Sequence, residues 1–354
     1  MIPVAKPNLK GNERKYLLEA LDKNEISWRG SFVSEFEEKF SKRHGAKYGV
    51  GTTSGTTALT LAVAGLGIGE GDEVIVPEFT MVATAWAVSH NRATPVFVDC
   101  DDDLLIDVEK IEEKITPNTK AIIPVHIFGR RANTERCMEI ARKHGLKVIE
   151  DAALAHGVPL AGDIACYAFF ANKIMTAGEG GICITNDKNL EEEMRYLKNM
   201  AFDPKHTFLH KKLGFNFRIT NFQCAILLGQ LERLDEFLAK RKEIESWYDE
   251  ELKDIPQLTL MPTRTLLWVY DVLAERKDEL MDYLYEHGVD TRTYFKPMSM
   301  QPMYCKDDSY KQLKAYEYSL KGFYLPTFVD LTKEEVKYIG NTIRNFYRIL
   351  RHYE

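Results

Sequence analysis

The stretch "CYAFFANKIMTAGEGGICIT", residues 166–185, places Lys173 between an apolar, strand-like run and a glycine-rich turn. Lysines usually stay on solvated faces, because burying an ammonium without a partner is costly. A partly desolvated lysine loses proton affinity and becomes a nucleophile toward carbonyl carbon. The "GEGG" at 178–181 allows a tight turn and close approach of a ligand.

Upstream of this stretch, short apolar runs alternate with longer amphipathic ones. "EVIVP" (73–77), "TPVFVD" (94–99), "AIIPVHIF" (121–128) and "KVIED" (147–151) predict buried strands. Between them, 55–66, 80–90 and 132–145 predict helices. The strands are continuously apolar rather than alternating, as expected when both sheet faces are covered. The order implies an α/β fold with a mostly parallel central sheet and helices on both faces. From Asn221 the pattern changes. Residues 221–254 predict one long helix, 265–273 a strand, and 277–288 and 333–353 two further helices. Residues 1–230 are expected to form a large ligand-binding α/β domain, and 231–354 a smaller C-terminal α+β domain.

Three places carry candidate chemistry. In "GTTSGTTALTLAV" (51–63), small residues follow a strand and open a helix. Gly55 permits close backbone approach, Thr56 adds a hydroxyl, and the helix N-terminus presents free N–H groups, which suits a phosphate. The alternative is that Ser54 or Thr56 merely caps the helix. In "VIEDAALAHG" (148–157), Glu150 and Asp151 close a strand, and ligands of open α/β sheets bind at strand carboxyl ends. Asp151 there can pair with a protonated heteroaromatic nitrogen, or cap the next helix. His156 reads as a packing residue. Lys173 is the third. A phosphate cup, a strand-end Asp and a sequestered Lys, in that order, match the needs of pyridoxal phosphate. A second glycine cluster, "GLGIGEGDE" (65–73), ends a helix and leads into a strand, so it does not fit a dinucleotide fingerprint.

Bulk properties narrow the rest. The chain has 354 residues, 45% hydrophobic and 28% charged, enough for a sizeable core. A net charge of −6 and no long basic run argue against nucleic-acid binding. The six cysteines are scattered without a CxxC pair, which favours a reduced, cytoplasmic setting over zinc or a disulfide framework. The apolar stretch at 58–69 is too short and glycine-broken to span a bilayer. No metal site is expected.

Nearly the whole chain resembles the DegT-type, fold-type I, pyridoxal-phosphate-dependent nucleotide-sugar aminotransferases. The resemblance is carried by "IPVAKPNLKGNERKYLLEAL", "TSGTTAL", "GIGEGDEVIVP", "IEDAA", "FFANKIMTAGEGG", "GFNFRITNFQCAILLGQLERLD" and "GVDTRTYFKPMSMQPMY". It implies that Lys173 carries the cofactor in a Schiff base, Asp151 partners its pyridine nitrogen, and Gly55 and Thr56 hold its phosphate. It also implies that Asn216 reaches the phosphate of a neighbouring subunit, hence a homodimer with shared active sites. Arg218 is a second candidate for that interface, or forms a structural ion pair. Three positions depart from the family pattern: Ala168 where a phosphate-binding serine is usual, Leu154 where Gln, Glu or His is common, and Met81 where an aromatic stacks on the ring. The loop "HGVPLAGD" is also short. The activity implied is amino transfer from L-glutamate to C4 of a nucleotide-linked 4-keto-6-deoxy sugar. GDP is the first expectation, with UDP- or dTDP-linked sugars as the alternative. A non-catalytic cofactor-binding regulator is the rival from another class.

Overall fold

The computed structural model describes residues 1–350 apart from 204, 206, 207, 262 and 263. Helices α1 (Glu13–Asp22) and α2 (Ser31–Arg43) precede strand β1 (Tyr48–Thr52). There follow α3 (Gly55–Gly65), β2 (Glu73–Pro77), α4 (Ala83–His90), β3 (Thr94–Val98) and β4 (Thr119–Ile122). Then come α5 (Thr134–His144), β5 (Lys147–Asp151), β6 (Ile164–Ala168), β7 (Gly181–Thr185) and α6 (Lys188–Lys198). Two helices, α7 (Asn221–Leu231) and α8 (Leu234–Leu252), lead to the C-terminal part. It holds β8 (Leu258–Leu260), β9 (Tyr270–Ala274), α9 (Lys277–Glu286), β10 (Arg292–Thr293), α10 (Lys314–Lys321), β11 (Gly322–Leu325) and α11 (Lys333–Leu350).

The large sheet has the order β1-β7-β6-β5-β4-β2-β3. Strands β2 to β6 are mutually parallel, while β7 runs against both β6 and β1. Therefore β1 and β6 point the same way, and the carboxyl ends of β1, β2, β5 and β6 share one edge. The continuously apolar strands are covered on both faces. Val148 belongs to one buried cluster and its neighbour Ile149 to another; Cys166 and Ala165 divide the same way. Strand side chains alternate between faces, so each strand feeds two cores. The C-terminal sheet, β10-β11-β9-β8, is antiparallel and has its own core with α8, α9 and α11.

Four expectations need correction. The predicted helix over 221–254 is two helices, broken at Glu232–Arg233, where Arg233 leaves helical geometry and its guanidinium binds Asn8 and Glu236. The run at 121–128 is a strand only to Ile122. Pro124 brings no N–H to the ladder, and 127–129 form a tight turn with Phe128 at φ 53°. The strand expected at 265–273 starts at Tyr270. The amides of Thr265 and Leu266 instead donate to Gly129 O, which docks this segment on the large sheet's turn. The helix expected at 80–90 starts at Ala83, leaving Thr80 and Met81 in the loop before it. The final residues predicted helical, 351–353, lie outside the described residues.

A buried charge cluster joins the two parts. Arg130, fully buried after β4, donates to Asp271 on β9 at 3.1 Å. The same carboxylate accepts from Arg264 and, at 2.6 Å, from the Tyr294 hydroxyl. Two guanidiniums hold its pKa below the ordinary range despite complete burial.

Candidate active site

At the shared carboxyl edge of the large sheet lies a cavity of about 410 Å³. Its wall includes Gly55, Thr56, Met81, Asp151, Leu154, Ala168 and Lys173. These residues come from four segments of the chain's first half, 55–56, 81, 151–154 and 168–173, and the parallel sheet brings their strand ends together.

The cup at the start of α3 forms because Ser54 and Thr57 cap each other. Ser54 Oγ accepts from the Thr57 amide at 3.1 Å, and the Ser54 amide donates to Thr57 Oγ1 at 2.9 Å. The Ala58 amide donates to Ser54 O at 3.0 Å. The amides of Gly55 and Thr56 are left without a protein acceptor among the described residues, at the positive end of an 11-residue helix. Ser54 caps the helix, and the donors left open beside it have the chemistry a phosphate needs. The cup is tight. A Cβ on Gly55 would lie 2.4 Å from Ala168 Cβ.

Asp151 ends β5 with its side chain on the cavity side, while Glu150 points the opposite way. Glu150 is saturated: its Oε2 accepts from His126 Nε2 and the Thr134 hydroxyl, both at 3.0 Å, and its Oε1 accepts from the amides of Ala161 and Gly162. Asp151 Oδ2 accepts from Thr84 Oγ1 at 2.8 Å, and Oδ1 from the Ala153 amide at 3.1 Å. Burial pushes the Asp151 carboxyl above its ordinary range; the Thr84 and Ala153 donors, and the nearby Lys173 charge, act the other way. A cationic ring nitrogen at this carboxylate would relieve that unfavourable burial.

Lys173 is positioned by a loop folded on itself. The Phe169 amide donates to Gly180 O, the Ala177 amide to Phe169 O, and Thr176 Oγ1 to Phe169 O at 3.0 Å. Gly178 and Gly180, at φ 80° and 145°, make the turn that only glycine adopts freely. Among the described residues the amine has no hydrogen-bond or ion-pair partner, and its contact is the Trp268 ring, 4.7 Å to the centroid. Burial pushes its pKa down to about 8, with Asp151 pulling upward.

Met81 lies at the mouth, 51% exposed. Leu154 and Ala168 line the wall without contributing a polar side chain. Asn216 is not part of this wall. It lies on the surface, where its Oδ1 accepts from Arg218 Nε at 2.9 Å. Arg218 also donates to Asn199 Oδ1 and stacks near Trp28, and makes no ion pair among the described residues. His156 is a packing residue as expected: fully buried, pushed down to about 3, with Nε2 2.8 Å from Ala168 O. Sequence reasoning missed Thr84 and the C-terminal wall of Trp268, Phe295 and Tyr324. The offset of Thr84 from Met81 could have suggested the first; nothing local marks the others.

The residues fit pyridoxal phosphate: open amides at a helix start, a buried carboxylate and a desolvated amine face one cavity. Fold and site together define a pyridoxal-phosphate-dependent transaminase. The sequence pattern of the DegT/DnrJ/EryC1/StrS aminotransferase family matches residues 7–344, and the chain belongs to that family. Among curated relatives, the GDP-perosamine synthase of Caulobacter vibrioides is 41% identical over 355 residues, 95% of each chain. That of Escherichia coli O157:H7 is 38% identical over 98% of each. Among solved structures, DesV of S. venezuelae in complex with a ketimine intermediate superposes with a TM-score of 0.89 at 32% identity, covering 95% of this chain and 94% of that one. Among the described residues no helix is long and apolar enough to cross a membrane.

Proposed function

We propose that this aminotransferase moves the amino group of L-glutamate to C4 of GDP-4-keto-6-deoxymannose, giving GDP-perosamine. The observation that carries the reaction type is Lys173, a desolvated amine sharing one cavity with Asp151 and the α3 N-terminus. The acceptor is supported by the names of the relatives that are 33–41% identical across nearly the whole chain.

Gly55 and Thr56 hold the cofactor's phosphate through their free amides and the Thr56 hydroxyl. Asp151, kept in place by Thr84, holds the proton on the pyridine nitrogen by presenting a full negative charge. Pyridoxal phosphate, when bound, supplies the electron sink that makes an amino acid's α-proton removable. Lys173 Nζ would be the covalent anchor, and as a free amine it could take up and give back that proton. A pKa near 8 suits both tasks, since near neutral pH the amine is present in both protonation states. Trp268 and Phe295 keep bulk water from the amine. Asn216 donates to the phosphate held by a partner subunit, so the working unit is a homodimer with shared sites. The reaction takes place in the cytoplasm.

The test has two arms. Borohydride reduction of the cofactor-loaded protein fixes the label to the peptide containing Lys173; a label elsewhere overturns the site. Incubation with glutamate and a panel of GDP-, UDP- and dTDP-linked 4-keto-6-deoxy sugars then yields an aminated product from the GDP sugar. Amination of a UDP- or dTDP-linked sugar alone overturns the acceptor, and no amination of any sugar favours a cofactor-binding regulator.

A further inference from the structure

Behind Trp268, away from Lys173, lies a second chamber of about 300 Å³. It shares four wall residues with the Lys173 cavity: Phe170, Asn172, Trp268 and Tyr324. We infer that this chamber seats a carboxylate of the amino donor, gripped by the Nε–Nη2 edge of Arg241. The inference rests on the reading of the chain as an aminotransferase with an amino-acid donor.

Arg241 projects from α8 into the chamber wall and is only 5% exposed. Its Nη1 donates to Trp268 O at 2.7 Å, with longer contacts to Leu267 O and Thr327 Oγ1. Nε is buried with no partner, and Nη2 makes no hydrogen bond among the described residues. Among the described residues no carboxylate pairs with this guanidinium. Burial alone acts on it, pushing its pKa down to about 10. A buried cation without a counter-charge is strongly unfavourable, so a structural role as carbonyl donor accounts for one nitrogen and leaves the charge unexplained.

The unpartnered edge is specific. Nε–H and the neighbouring Nη2–H are parallel, the fork that grips both oxygens of a carboxylate. The chamber's other charged pair is already matched: Arg292 donates to Asp290 and to Thr291 O. On the shared wall, Asn172 Oδ1 is buried and has no partner, an acceptor placed between the chamber and the Lys173 cavity. A dicarboxylic amino acid spans the two sites, its distal carboxylate on Arg241 and its amine on the Lys173 side of Asn172. Trp268 ties the two sites together, since its ring faces Lys173, its Nε1 donates to Asn172 O at 3.0 Å and its carbonyl accepts from Arg241.

The experiment uses the cofactor-loaded protein, glutarate as an unreactive dicarboxylate, and GDP. In the wild type both ligands raise Tm. In Arg241→Gln the glutarate shift is lost and the GDP shift is kept. The glutamate concentration that half-converts the cofactor's visible absorbance rises at least about tenfold. The amine-loaded form still reacts normally with keto-sugar. Ala5→Phe narrows the chamber from the N-terminal segment while leaving Arg241 in place, and weakens glutarate in the same way; it decides the matter if Arg241→Gln does not fold. Unchanged glutarate and glutamate responses in either folded variant overturn the proposal. So does loss of the GDP shift instead, which would make the chamber a diphosphate site. If no amino acid converts the wild-type cofactor, the aminotransferase reading falls and this proposal with it. A reactive wild type with an indifferent Arg241→Gln removes this proposal alone.

Discussion

Lys173 Nζ lies 4.7 Å from the centroid of the Trp268 ring, so a residue of the C-terminal part covers the amine of the large sheet's key loop. The indole face favours the ammonium, yet burial outweighs it and holds the pKa near 8. The consequence is a fold that is destabilised by its own lysine when the cofactor is absent. The unfolded amine titrates at the ordinary 10.5 and the folded one near 8. The lysine's cost to stability is therefore fully present below pH 8 and fades as pH rises toward 10.5. Lys173→Met in the cofactor-free protein should raise Tm at pH 7, with the gain shrinking steadily between pH 8 and 10.5. A gain independent of pH would show that the amine is not desolvated. The same variant should have no turnover.

Asp151→Asn keeps the shape that Thr84 and the Ala153 amide grip, but removes the charge. We expect a folded protein with a rate lower by about a hundredfold or more, because charge-assisted contacts and tautomer control matter this much in comparable sites. Thr84→Val is the subtler probe. It deletes the largest influence that lowers the Asp151 pKa and leaves burial to raise it further. The carboxylate should then be lost at a higher pH, moving the acid limb of the kcat/KM profile upward. An unmoved limb would mean Thr84 only packs.

The convergence of the candidate residues on one cavity could be read because their signals are local. A cup needs small residues at a helix start, the Asp must end a strand, and the lysine precedes a glycine turn. The parallel sheet gathers strand ends without further instruction, which is why Gly55, Asp151 and Lys173 converge across more than a hundred residues. Trp268 was illegible for the opposite reason. Its run looks like a strand, "TLLWVYDVL", and only the pairing of Thr265 and Leu266 with Gly129 O turns it over the lysine. The long C-terminal helix failed similarly, since the Asn8–Arg233 contact that accompanies its break joins residues 225 apart.

Gly55 serves packing as well as ligand approach. In Gly55→Ala the new methyl meets Ala168 Cβ, and neither backbone can retreat without disturbing β6 or α3. Overpacking of this kind costs about 1–3 kcal/mol, measurable by urea denaturation of the cofactor-free protein. Ala168→Gly in the same chain should restore most of that loss. Failure of the second change to help would show that backbone conformation, rather than the methyl contact, fixes glycine there. Ala168→Ser tests the missing family serine. One added donor beside the cup should tighten cofactor binding roughly two- to tenfold, the value of a single hydrogen bond.

The last expectation concerns the proposed sharing of sites between subunits. Asn216 is exposed and outside its own chain's cavity, and Arg218 occupies its carbonyl oxygen. That leaves the amide's two N–H groups to donate outward, the polarity a phosphate requires. Asn216→Ala should therefore weaken cofactor binding while leaving Lys173 available for labelling. Lys173→Ala should be inactive by itself. Co-expressed with distinct tags and purified as mixed dimers, the two should regain activity. With shared sites, one site of each mixed dimer would combine Lys173 from one chain with Asn216 from the other, and its twin would carry both defects. A site completed within one chain behaves differently, because every site then keeps one defect. Mixed dimers no more active than Asn216→Ala alone would argue for self-contained sites. The poverty of the local wall sharpens the test: with Ala168 and Leu154 offering no polar side chain, fewer groups compensate for a lost donor, so the Asn216 defect should be large enough to see its rescue.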